Sequence, residues 1–312
     1  MDAVEKWETD VGNKIIIEQV LMLFIILLIG AAAKKRGIIT ADSGRKLSEL
    51  LLNVTQPFMI ISSFQFDFSR DMLLNAGLVF VCSLGIHAIS MVVAMFIYRK
   101  YPMPQRNVLK FITVFSNCGF MGFPVLDSVL GSIGVFYGSI YVISFNIFIW
   151  TYGVMVFSGG SGGSSWKKVF INPGIISVCI GMILFLFSIK LPGPIYKAVS
   201  MVGSMTTPLS MLIVGSLLAD IKFSELFKGL AVYHGTAVRL AVIPLLSFAV
   251  LSLFPIPDEV RFVSILLPAM PAAANTAIFS EKYEGDSSLA SRIIGITTLL
   301  SIATIPLIIM LI

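Results

Sequence analysis

The stretch SNCGFMGFPVLDSVLG, Ser116 to Gly131, decides how this chain is read. It lies in a run otherwise apolar enough for a membrane helix, yet Gly119, Gly122 and Pro124 fall within six residues and Gly131 follows. Glycine inside a helix costs about 1 kcal/mol and proline about 3 kcal/mol relative to alanine, so the run is interrupted here. Small residues in a membrane helix have an ordinary reading as packing contacts or a simple kink. Density and position favour a functional break, because Asn117 lies about nine residues, roughly 13 Å at 1.5 Å per residue, from the end of its run.

The surrounding composition sets the solvent. The chain has 312 residues, 57% apolar and 12% charged, with a mean hydropathy of +0.94. Soluble domains carry roughly 25% charged residues. Apolar runs of about 20 residues, enough to cross a hydrocarbon core, recur along the whole length. Ten spans are expected at 15–33, 47–66, 72–97, 108–128, 134–157, 169–189, 198–219, 229–253, 260–280 and 289–312. Period-2 alternation is missing, so the expected fold is an all-α integral membrane protein.

Basic residues give the expected orientation. With the amino terminus outside, fifteen Lys and Arg fall in inner loops, six fall outside, and Arg239 alone lies within a span. That bias predicts a multi-pass cell-membrane protein with both termini outside. Asp2, Glu5, Glu8 and Asp10 make the start acidic, unlike a signal peptide, so span one is expected to be retained. The net charge of +5 is a topology signal and needs no nucleic-acid partner. Cys82, Cys118 and Cys179 lie in apolar spans without metal-ligand spacing, and nothing calls for a metal or cofactor.

The halves of the chain resemble each other. Asn53-Val-Thr-Gln-Pro57 matches Ser204-Met-Thr-Thr-Pro208 at an offset of 151, and Asn117–Gly131 lines up with Pro271–Gly285 at 154. Five spans per half is odd, so the halves insert in opposite directions, a 5+5 inverted repeat. The expected division is residues 1–157, a Gly/Ser-containing cytoplasmic linker at 158–168, and residues 169–312.

Span nine repeats the interruption of span four, with Pro268, Pro271, Asn275 and Thr276 near its middle. Backbone groups freed in hydrocarbon cost several kcal/mol each unless buried in protein or facing a wet cavity. Two breaks therefore predict two crossover helices at a mid-depth cavity, presenting helix amino termini whose positive ends attract a carboxylate. Asn117 and Asn275 add amide donors without a fixed charge.

The motifs Asn117-Cys-Gly-Phe-Met-Gly-Phe-Pro124, SFNIFIWT around Asn146 and Trp150, MPAAANTAIFSEKY from Met270 to Tyr283, and TTLLSIATIPL from Thr297 to Leu307 carry a resemblance. By these the chain is identified as a member of the auxin efflux carrier family, within the bile-acid sodium symporter superfamily. That family includes plant PIN-type auxin exporters and bacterial permeases for small organic acids. The resemblance implies a scaffold domain (spans one, two, six and seven), a transport domain (three to five, eight to ten), and an elevator-like shift between them. It implies that Asn117, Pro124 and Pro271 occupy the family's crossover positions, that Asn146 supports the crossover, and that a homodimer can form through the scaffold. Thr276 departs from it, standing where plant exporters have a second proline, and their large cytoplasmic loop is missing.

The expected substrate-binding set is Asn117, Cys118, Gly119, Gly122, Pro124, Asn146, Pro271, Asn275, Thr276, Asn53, Gln56 and Thr207, with Arg239 and His87 as charge-coupling candidates. Each has an ordinary alternative: amides and hydroxyls also join membrane helices, and Arg239 can be held by backbone carbonyls. Asp127 is expected at the outer surface. With no carboxylate in the crossover, uniport of a small organic anion fits best, a mono- or dicarboxylate. Proton or sodium coupling, and a receptor that binds without transport, are the rivals. An enzyme is not expected, since paired acidic clusters are missing.

Overall fold

A computed structural model describes residues 3–158, 166–219, 226–283 and 285–312, and these are nearly all helical. In chain order the first half contains α1 (Ala3–Lys35), α2 (Ala41–Leu50), α3 (Gln56–Ser63), α4 (Arg70–Ile97), α5 (Met103–Val114), α6 (Phe123–Phe148) and α7 (Val154–Ser158). The second contains α8 (Trp166–Phe170), α9 (Pro173–Leu186), α10 (Gly193–Ser204), α11 (Thr206–Ala219), α12 (Leu230–Ala237), α13 (Ile243–Leu251), α14 (Asp258–Ala269), α15 (Asn275–Lys282) and α16 (Ser287–Leu311). Wide π-helical turns at Leu51–Thr55, Cys118–Gly122, Ile149–Gly153 and Val238–Val242 join neighbouring helices.

Among the described residues, five helical stretches are long and apolar enough to cross a membrane: Arg70–Ile97, Cys118–Ser158, Gly193–Ala219, Leu230–Leu251 and Ser287–Leu311. Cys118–Ser158 is longer than one crossing needs and is non-helical at Gly131 (φ 60°, ψ −146°). That left-handed φ favours glycine, so the connection expected between spans four and five turns on one residue. The Gly/Ser stretch at 159–165 lies outside the described residues. The helix α8 already begins at Trp166, inside the expected linker.

Helix starts follow their caps. The Thr40 and Ser43 side chains form a reciprocal capping box for α2, Ser69 caps α4, and Asp286 accepts from the Leu289 N–H at the start of α16. Glycines let α1 and α11 pack backbone to backbone: a Cβ on Gly215 would stand 1.8 Å from the Leu27 carbonyl oxygen, and one on Gly30 would stand 2.2 Å from that of Leu212. Close contact of this kind holds helices together where lipid removes the hydrophobic drive between them.

Part of the interior is aromatic. Phe111 packs against Phe115, Phe157 and Phe279 with ring centroids 4.6 to 5.4 Å apart, joining α5, α7 and α15. It surrounds two places where the chain stops being helical, Phe115–Asn117 after α5 and Met270–Ala274 after α14. The breaks meet as a one-residue antiparallel bridge between Ser116 and Ala272. Asn117 N–H donates to the Pro271 carbonyl at 2.8 Å, and Ala273 N–H donates to the Phe115 carbonyl at 3.1 Å. Ala272 N–H is taken by the Thr297 hydroxyl of α16 at 3.2 Å. Buried backbone groups released by both breaks thus find partners.

Candidate functional site

Beside the paired breaks lies a cavity of about 270 Å³. Its walls come from the first break (Ser116 to Phe120), the second (Ala273 to Asn275), the turn at Leu52 and Asn53 with Gln56, the α6 end with its following turn (Val142 to Trp150), and the α9 start (Asn172 to Gly174). None of the lining residues is charged. Six carry side-chain amides: Asn53, Gln56, Asn117, Asn146, Asn172 and Asn275.

The wide turns explain how helical residues reach this space. A π turn inserts a residue into a helix and re-aims the side chains around it. Asn53, Cys118 with Gly119, and Ile149 with Trp150 all lie on such turns and line the cavity. Pro124 stands at the second residue of α6, directly after the wide turn Cys118–Gly122. Asn117 precedes the Cys118 turn and Ala274 precedes α15, and no side chain caps either start. The first N–H groups of a helix lack the usual partner one turn back. At α15 those of Thr276 and Ala277 are taken by the Ala273 and Ala274 carbonyls at 3.0 and 3.3 Å, which leaves that of Asn275 as the donor there. The Cys118 start keeps its first N–H groups, and both starts keep a positive end.

Two amides at the site are polar, buried and idle. Asn117 is 4% exposed and Gln56 is 6% exposed, and the Gln56 Oε1 has no hydrogen-bond partner among the described residues. Gln56 faces the first break, its Nε2 standing 3.9 Å from where a Cβ on Gly119 would be. Asn146 and Asn172 are engaged: Asn172 Nδ2 donates to Asn146 Oδ1 at 3.0 Å, Asn146 Nδ2 donates to the Val142 carbonyl, and Asn172 Oδ1 caps α9 at the Gly174 N–H.

Of the residues singled out from sequence, Asn53, Gln56, Asn117, Cys118, Gly119, Asn146 and Asn275 line the cavity. The others lie outside that lining. Gly122 permits contact with α14, since a Cβ there would stand 2.6 Å from Leu267 Cδ2. Pro271 presents its carbonyl to Asn117, and the Thr276 hydroxyl turns back to the Ala273 carbonyl at 2.7 Å. Thr207 donates to the Asp127 carboxylate at 3.2 Å, tying α11 to α6. Asp127 is thus a half-buried contact between the two helices. Asn172 and Ser116 were not singled out from sequence. Asn172 could have been found as the cap of an Asn-Pro-Gly helix start, though nothing local to it points to Asn146.

Arg239 and His87 both lie behind the cavity. Arg239 is 1% exposed, and Nη1 donates to the Thr113 and Ile112 carbonyls at 2.9 and 3.3 Å. Its Nε donates to the Met270 carbonyl at 3.2 Å and its Nη2 to that of Pro268. His87 donates from Nδ1 to the Ser83 carbonyl at 2.7 Å and stacks on Phe148 with centroids 5.2 Å apart, among Phe115, Tyr141 and Phe145. Among the described residues no group of three or more His, Cys, Asp or Glu could hold a metal ion.

Two adjacent stretches of the chain, residues 15–164 and 160–309, match the membrane transport protein family. An uncharacterized transporter of Methanocaldococcus jannaschii is 25% identical over 92% of this chain and 96% of its own length. An uncharacterized transporter of Methanothermobacter thermautotrophicus is 24% identical over 93% and 96%. A Rhizobium meliloti protein whose name proposes malonate transport is 25% identical over 45% of this chain and 43% of its own length. The family and these relatives are transporters rather than enzymes, and the chain belongs to the membrane transport protein family of the auxin efflux carriers, as a multi-pass membrane protein.

Proposed function

We propose that this protein is a secondary transporter of a small organic anion whose carboxylate binds where the two breaks meet. The observation that carries the reading is the uncharged, amide-lined cavity against two uncapped helix starts, with Asn117 buried and Gln56 Oε1 unpartnered. Free N–H groups and positive helix ends select an anion, and amides orient it without a fixed charge that would slow its release. The name of the Rhizobium relative makes malonate a suitable first probe.

In this reading the chain spans the membrane ten times as a 5+5 inverted repeat, with both termini outside the cell membrane. The two adjacent family matches and the pairing of the two breaks support it. Transport is an elevator-type shift of the break-bearing domain (spans three to five, eight to ten) against spans one, two, six and seven. Two polar contacts would open in such a shift, Asp127 with Thr207 and Asn146 with Asn172. With no carboxylate among the lining residues, movement driven by the gradient or potential of the anion is favoured over proton coupling.

A ligand that binds the folded state raises its apparent stability, so the first experiment is a thermal-shift screen of short mono- and dicarboxylates. It is run with and without sodium at two pH values. Saturable stabilisation by a short carboxylate, independent of sodium, is the expected result. A screen in which no carboxylate stabilises the protein under any condition would overturn the reading.

A further inference from the structure

We infer that the anion held at the two breaks is the counter-charge of Arg239, which makes this buried arginine a positioning residue for the substrate. The inference rests on the binding reading above and adds a charge requirement to it. Arg239 sits on the wide turn Val238–Val242, and its guanidinium donates to the carbonyls of Ile112, Thr113, Pro268 and Met270. These carbonyls belong to the ends of α5 and α14, the two helices from which the chain unwinds into the site.

The charge inventory around the breaks is simple. The carboxyl-terminal ends of α5 and α14 each carry roughly half a negative charge, and the amino-terminal starts at Cys118 and Asn275 each carry roughly half a positive one. The four partial charges cancel. What remains is the unit charge of Arg239, which offsets the negative ends and leaves the positive ends facing the cavity unopposed.

No carboxylate balances it among the described residues. The ionisable groups that face Arg239 are Tyr98, Cys118, Tyr141 and His87, and none of these carries negative charge at neutral pH in its ordinary state. A buried, unbalanced cation is costly in a membrane protein. An anion among Asn117, Cys118 and Asn275, next to the bridge that Arg239 braces, supplies the balance from outside. The cavity wall thus stays uncharged while the charge that selects the anion lies behind it, tied to backbone and unable to follow the substrate out.

The test separates charge from carbonyl bracing. Purified wild type, Arg239→Lys and Arg239→Gln are melted against malonate and against malonamide, its neutral diamide. Lysine keeps the charge with fewer donors, whereas glutamine keeps amide donors without the charge. Wild type is expected to prefer malonate, Arg239→Lys to retain malonate affinity to within about tenfold, and Arg239→Gln to lose about tenfold or more, the scale of a unit charge acting through protein. Malonamide should not distinguish the three.

Equal losses in the lysine and glutamine variants, or glutamine binding malonate as wild type does, would overturn the charge role and leave the binding site standing. No malonate response in wild type overturns the binding reading and this inference with it. Cys118→Asp keeps the test decisive if Arg239→Gln does not fold, because it supplies an internal counter-charge. It should melt no lower than wild type without ligand and no longer respond to malonate, and a lower melt with the response intact would refute the inference.

Discussion

Asn117 N–H donates to the carbonyl of Pro271 at 2.8 Å, so the two breaks of this chain form one hydrogen-bonded unit. Proline has no N–H to offer, and its carbonyl is free because α14 has already ended at Ala269. The backbone of Asn117 therefore holds the fold together while its side chain makes no hydrogen bond among those found for the described residues. In the proposed site, structure and binding would be divided between two parts of one residue.

That division makes Asn117→Ala informative. The backbone contact survives the substitution, so the melting midpoint should fall by no more than the few degrees that about 1 kcal/mol represents. Malonate affinity should drop at least tenfold, the loss of one charge-assisted hydrogen bond of about 1.5–3 kcal/mol. Titration of the thermal shift checks both on one sample.

Gln56 should behave in the opposite sense to a packing residue. Its Oε1 is buried without a partner, and leaving such a group unsatisfied costs about 1–3 kcal/mol. Gln56→Met, similar in volume and apolar, is expected to raise the ligand-free melting midpoint while weakening malonate binding. A variant that melts lower and binds unchanged would take Gln56 out of the site.

The contact of α1 with α11 makes a purely structural prediction. A Cβ at Gly215 would overlap the Leu27 carbonyl, so Gly215→Ala must push the two helices apart. Overpacking of this kind costs about 1–3 kcal/mol. The expected outcome is a lower melting midpoint with unchanged malonate affinity in the folded fraction, read from a melt and a titration of that variant.

Cys118 gives a chemical probe of the cavity. It is 1% exposed yet lines the space beside Asn117. With Cys82 and Cys179 changed to serine, maleimide labelling of Cys118 should be slow and should slow several-fold further in saturating malonate. Mass spectrometry of the labelled protein measures both rates, and identical rates would place the ligand elsewhere.

Much of this site is legible in the sequence because breaking a membrane helix needs unusual residues. Gly119, Gly122 and Pro124 in one run, and Pro268 with Pro271 in another, mark places where the backbone leaves the helix, and asparagine beside each marks where polar groups gather. Composition alone indicates a helical membrane protein. What stays hidden depends on distant neighbours. Nothing local to Arg239 says that its partners are carbonyls from α5 and α14, nothing near Asn172 points to Asn146, and Thr207 meets Asp127 only because α11 lies against α6. The wide turns that aim Asn53, Cys118 and Ile149 into the cavity, LLNVT, CGFMG and IWTYG, share no common sequence signature.

The central claim is that the paired breaks bind and pass a small carboxylate. Its most direct measurement is the initial uptake of radiolabelled malonate by proteoliposomes carrying wild type or Asn117→Ala, reconstituted in equal folded amounts, under an outward-to-inward gradient and a defined membrane potential. The account expects saturable uptake by wild type, competed by other short carboxylates, and a rate at the empty-liposome level for Asn117→Ala. Equal uptake by the two proteins, or none by wild type at any potential, would contradict it.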